Sequence, residues 1–110
     1  PPERGAIVFF QDPTDAQGWM VKRVVGLPGE IVAVFGGRVF INGQPLQEPY
    51  ARGPTPGMGL WKVPDDGVFV LGDNREVSDD SRTFGPIEMS LIEGKIGWRI
   101  WPLSRWGRVE

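Results

Sequence analysis

Apolar residues in this chain come in short runs rich in Val, Ile, Phe and Trp, each closed by Gly, Pro or Asn. That punctuation marks strands and turns, and it interrupts every candidate helix. The pattern predicts strands over about 5–10, 19–26, 30–35, 38–41, 60–63, 67–72 and 94–101. FGGRVFING predicts a hairpin that turns at Gly36-Gly37, and Asn42-Gly43 turns the chain again before Pro45. ARGPTPGMG reads as a loop, and EMSLIEG carries one short helical turn. Nothing repeats at a fixed period and no linker divides the chain. Residues 1–110 therefore read as one all-β domain, a compact, largely antiparallel, barrel-like fold, closed or nearly so.

One strand breaks the apolar pattern. In GWMVKRVVG, alternation puts Met20, Lys22 and Val24 on one face and Trp19, Val21, Arg23 and Val25 on the other. Lys22 and Arg23 thus point in opposite directions and need separate partners. Lys22 has apolar neighbours on its own face. Such a shell disfavours the ammonium form, so the amine is available to take up a proton. The competing reading is a surface lysine, or an edge residue that discourages strand pairing between molecules.

A second stretch bears on that choice. In VFVLGDNREVSDDSRTFGPI an apolar strand, Val68 to Leu71, runs into Gly72 and then a dense polar segment. A solvated acidic loop is one reading of it. Yet the segment holds every partner the first strand lacks. A carboxylate can pair with Arg23, Arg82 can pair with a nearby Asp, and a serine hydroxyl can hydrogen-bond Lys22 and fix its rotamer. Matched charges of this kind hold a loop rigidly, as a catalytic site requires.

Composition narrows the chemistry. The formal charge of −2, with 40% hydrophobic and 24% charged residues, fits a folded body and not a nucleic-acid binder held by bulk charge. Nine of the twelve cations are Arg, which suits fixed ion pairs. There is no Cys and no His. Disulfides and the usual zinc ligands are therefore excluded, no metal or other cofactor is implied, and an acid–base enzyme would need Asp, Glu, Lys or Tyr as its base. No apolar run is long enough to span a bilayer, and no signal-peptide pattern opens the chain. The abrupt start PPERGAIVFF, without Met, suggests a cut fragment.

KRVVGLPGE resembles the lysine-bearing box of the type I signal peptidases, and GDNREVSDDSR resembles their GDNRxxSxDSR box. RGAIVFF is similar to their RGD-I-V-x-F box, and GKIGWRIWPLSRWGRV to their closing strand. The four segments occur in family order and cover most of the chain. The resemblance implies that Lys22 is the general base of a Ser/Lys dyad and that Ser78 orients it. It implies structural ion pairs Arg23–Asp73 and Asp80–Arg82, with Asn74, Arg75 and Ser81 supporting the loop. Met20 and Val21 fall where the family lines its substrate cleft. Ala6, Glu30 and Glu76-Val77 depart from the pattern, and none of these positions is the base or its orienter.

The family's nucleophile lies upstream, in an SMxPT-type box that follows membrane-spanning segments. The serines of this chain, Ser78, Ser81, Ser90 and Ser104, are in no such context. The expectation is thus a soluble catalytic-core fragment, inactive alone, of a membrane-anchored endopeptidase. The whole enzyme would act on signal peptides of preproteins at the outer face of the cytoplasmic membrane. Its alternatives are another Ser/Lys peptidase, a non-catalytic β module related to signal peptidases, and an interaction domain in which Lys22 is exposed and remote from Ser78. Trp98 is expected in the core, and Trp101 and Trp106 either in the core or against lipid or a missing segment. An uncovered strand edge would allow pairing between copies.

Overall fold

The structure is a computed structural model that describes residues 2–15 and 17–96. The strands are β1 (Ile7–Gln11), β2 (Trp19–Gly26), β3 (Ile31–Phe35), β4 (Arg38–Ile41), β5 (Gln44–Pro45), β6 (Gly59–Lys62), β7 (Gly67–Leu71), β8 (Ile87–Glu88) and β9 (Ile92–Ile96). A single helical turn, α1 (Ser81–Phe84), precedes β8, and a 3₁₀ turn, Met89–Leu91, follows it. The strands form two sheets, ordered β8-β7-β2-β1-β9 and β5-β4-β3-β6, and every strand pair is antiparallel. The fold is all-β, compact and antiparallel, as the pattern predicts. The predicted helical turn in EMSLIEG is the 3₁₀ turn; α1, β5 and β8 are additions, and the closing strand starts at Ile92.

Both predicted turns form. Gly36 and Gly37 join Phe35 to Arg38 with positive φ, and Asn42-Gly43 joins Ile41 to Gln44 in the same way. Two consecutive positive φ values define the turn whose twist matches the flanking strands.

One core lies where the sheets face each other. Val25, Phe69 and Leu71 of the larger sheet pack with Val32, Val34, Val39 and Ile41 of the smaller one. Trp61 on β6 lies 4.9 Å from Phe69, centroid to centroid. Gly26 permits the close approach, since a Cβ there would sit 2.6 Å from Val32 and 2.9 Å from Phe69. The other face of the larger sheet carries Val8, Phe10, Val24, Val68, Val70 and Ile92 under Leu27, Phe84 and Met89. β7 is buried on both faces, so its sequence is continuously apolar instead of alternating.

Candidate active site

Lys22 sits on β2 directly across from Val8 of β1, on the face that also carries Met20 and Val24. It is only 5% exposed. Its Nζ donates to Ser78 Oγ at 3.3 Å. The reading of an exposed lysine remote from Ser78 does not describe this arrangement.

Ser78 is held there by the way β7 ends. β8 pairs with β7 only at Gly67 and Val68. Beyond that point, side-chain oxygens take the place of a neighbouring strand. The Val70 N–H donates to Ser81 Oγ at 2.9 Å. The Gly72 N–H is shared between Ser78 Oγ and Asp80 Oδ2, each at 3.1 Å. Asp80 caps α1 by accepting from the Arg82 N–H, and its carboxylate takes Arg82 Nε and Nη2 at 2.8 and 2.7 Å. Ser78 Oγ thus accepts from both Lys22 Nζ and the Gly72 N–H. Burial pushes the Asp80 carboxyl up, but the hydrogen bonds from Arg82, Ser78 and Gly72 and the Arg82 charge outweigh it, and the group titrates below the usual carboxylate range.

Arg23, on the opposite face of β2, makes a two-point pair with Asp73 at 2.9 and 2.8 Å and donates to the Gly5 carbonyl at 2.9 Å. Arg82 and Asp80 form the second ion pair. Arg75 is buried, with Glu48, Thr55 and the Gly72 carbonyl as its partners. Asn74 bridges to Arg52, and Ser81 is fully buried. Met20 packs beside Lys22, whereas Val21 packs with Ile7 and Ile96 on the other face. Val21 therefore offers only its backbone to the face that carries Lys22. Among the described residues the ladder between β2 and β7 starts at Arg23, so no described strand pairs with that edge of β2 at residues 19–21.

Three partners escape a reading of the sequence. Glu48 pairs with Arg75 across 27 positions. Tyr50 lies under Arg23, with the guanidinium carbon 4.2 Å from the ring centroid. Burial first, then the nearby Glu48, raises the Tyr50 hydroxyl above its ordinary range, against the pull of Arg75 and Arg23. Glu30 takes both Arg4 Nη1 and Nη2 at 2.7 Å and accepts from the Leu27 N–H at 2.7 Å. That hold from Arg4, partly offset by burial, keeps the Glu30 carboxyl below its usual range. The only sequence signal was the Glu30 departure itself, which keeps an acid within reach of the chain start.

Among the described residues, no group of carboxylates is placed to hold a metal ion, and no helix is long and apolar enough to cross a membrane. Trp98, Trp101 and Trp106 lie outside the described residues.

The antiparallel β fold thus presents a buried lysine against a serine of the loop that follows GDNR. The sequence profile of the family described as signal peptidase, peptidase S26, matches residues 1–101. The chain is 46% identical over 118 residues to signal peptidase I of Leptolyngbya laminosa, covering 99% of this chain and 58% of that protein. It is 41% identical to the probable signal peptidase I-1 of Synechocystis sp. (strain ATCC 27184 / PCC 6803 / Kazusa), covering 99% and 60%. A crystal structure of a signal peptidase I from Enterococcus faecalis V583 superposes with a TM-score of 0.78 at 32% identity, covering 88% of this chain and 97% of that one. The chain belongs to the signal peptidase family, peptidase S26. It spans 58–60% of the length of the two relatives named above.

Proposed function

We propose that this chain is the catalytic core of a membrane-anchored serine endopeptidase that removes signal peptides from exported preproteins at the outer face of the cytoplasmic membrane. Lys22 is its general base and Ser78 the hydroxyl that orients it. The observation that carries the reading is the 3.3 Å contact between Lys22 Nζ and Ser78 Oγ at a lysine only 5% exposed.

A serine hydroxyl is a weak nucleophile until an adjacent base takes its proton. With no histidine in the sequence, the serine–lysine pairing is the arrangement these residues support. The nucleophile is a serine from outside these 110 residues. As its Oγ adds to the scissile carbonyl, its proton passes to Nζ. The amine then returns a proton to the leaving amine of the mature protein. Ser78 accepts one N–H of Lys22, which turns the amine's lone pair toward the attacking hydroxyl. The edge of β2 at residues 19–21, with which no described strand pairs, offers backbone groups to an extended peptide. Met20 borders the space for its side chains, with Val21 contributing its main chain.

In the full-length protein, Lys22→Ala should lower preprotein cleavage by about 10²–10⁴-fold, the usual share of a general base. Retained cleavage would refute the assignment. The purified 110-residue chain should not cleave the same preprotein, and cleavage by it would refute the outside nucleophile.

A further inference from the structure

We propose that Glu48 is a positioning residue for Lys22, acting through Arg75 and Gly72 on Ser78. The inference rests on the roles given above to Lys22 and Ser78.

The segment at residues 46–56 runs as a strap across the polar loop. Its backbone is fastened by Arg52 N–H to the Asp73 carbonyl at 2.8 Å and by Thr55 N–H to the Gly37 carbonyl at 2.9 Å. The Pro56 carbonyl accepts from Arg82 Nη1 at 3.2 Å. Under this strap lies Arg75, 1% exposed. The Glu48 carboxylate receives Arg75 Nη1 and Nη2, and Thr55 Oγ1 receives Nη1 at 3.0 Å. That leaves Arg75 Nε aimed at the Gly72 carbonyl, to which it donates at 2.7 Å.

Gly72 is the pivot. Its carbonyl is fixed by Arg75, and its N–H binds the Ser78 oxygen that receives Lys22. The next residue, Asp73, is fixed by Arg23, whose guanidinium rests on the ring of Tyr50 from the same strap. The strap thus holds the two residues from which the Ser78 loop departs. A buried ion pair is a weak source of net stability, since apolar side chains of equal volume often do as well. What the guanidinium supplies here is direction, because its planar fork fixes a carboxylate and a carbonyl at set angles. Without the Glu48 charge, Arg75 loses its anionic partner, Gly72 relaxes, and Ser78 moves off Lys22.

The test is made on the full-length protein with Glu48→Gln, and with the milder, isosteric Thr55→Val. Two readouts are taken beside thermal unfolding. One is kcat and KM for preprotein cleavage. The other is the acylation rate of Lys22 by acetic anhydride, relative to Lys62 and Lys95 and read by mass spectrometry, which needs no activity. Glu48→Gln should lower kcat by about 10²-fold, the cost of a misplaced catalytic group, with KM little changed. It should also raise relative Lys22 acylation severalfold. Thr55→Val should move both readouts the same way by less, and Glu48→Asp should restore part of each. Unchanged kcat and acylation in both variants, even with lowered thermal stability, would overturn the inference. If Lys22→Ala cleaves like wild type, the base assignment falls instead, and the acylation ratio still decides whether Glu48 governs Lys22.

Discussion

The two faces of the larger sheet share the same strands and are covered differently. Toward the smaller sheet, Val25, Phe69 and Leu71 meet a second sheet, and the charged side chain that β2 carries on this face, Arg23, is held in a two-point pair with Asp73. On the other face, Val8, Phe10, Val24 and Val70 share their strands with Lys22, under a cover of single side chains from α1, the 3₁₀ turn and nearby loops. Two sheets packed face to face stand about 10 Å apart, and side chains from both fill that gap. A loop folded over a sheet is under no such spacing rule. It can bring a hydroxyl within hydrogen-bond reach of a strand side chain, as Ser78 does to Lys22. The sheet-packed face supplies the scaffold, and the loop-covered face carries the pair proposed for the chemistry, Lys22 and Ser78.

Substitutions that treat the two faces differently test this contrast. The largest stability loss belongs to the sheet-on-sheet face. Phe69→Ala should cost about 3–5 kcal/mol in urea unfolding, because a fully buried ring leaves a cavity between two sheets. Asp80→Asn, on the loop side, should cost about 3 kcal/mol, since it strips Arg82 of a buried partner and weakens the cap of α1. This site also carries a pH signature. The folded-state value of Asp80 is depressed, so its contribution is fully present above the ordinary carboxylate range and is lost as pH falls through the depressed value. Acid titration of unfolding should show that loss in the wild type and a flatter profile in Asp80→Asn. The smallest stability effect is expected for Lys22→Met, within about 1 kcal/mol of wild type or above it, since an apolar side chain of similar length fills an apolar site. If Lys22→Met destabilises as much as Phe69→Ala, the amine is part of the scaffold and the contrast fails.

What the sequence makes legible follows range. The hairpin turns at Gly36-Gly37 and Asn42-Gly43 are local signals, and both form. The alternation in WMVKRVV places Lys22 and Arg23 on opposite faces, where their partners, Ser78 and Asp73, lie. α1 was hidden because SRTF begins inside a charged loop, and its cap is Asp80, a residue already counted as an ion-pair partner. β5 and β8 are each two residues long, too short to show a period. Glu48 and Tyr50 were illegible for a different reason. They follow a turn in an unpatterned segment, and only the folded path of the strap carries them to Arg75 and Arg23. Met20 and Val21 part as the alternation predicts, Met20 toward the Lys22 face and Val21 toward Ile7 and Ile96.

The hydroxyls that close the rim of β7 have a consequence for how the molecule behaves in a crowd. Past Val68, that strand would otherwise hold out a row of free amides, a template on which a foreign chain could grow. Ser81, Ser78 and Asp80 occupy those amides from within, so the molecule is its own antidote to fibre formation there. Under the proposed role of Ser78, one substitution there would therefore bare a strand amide and unseat the lysine together.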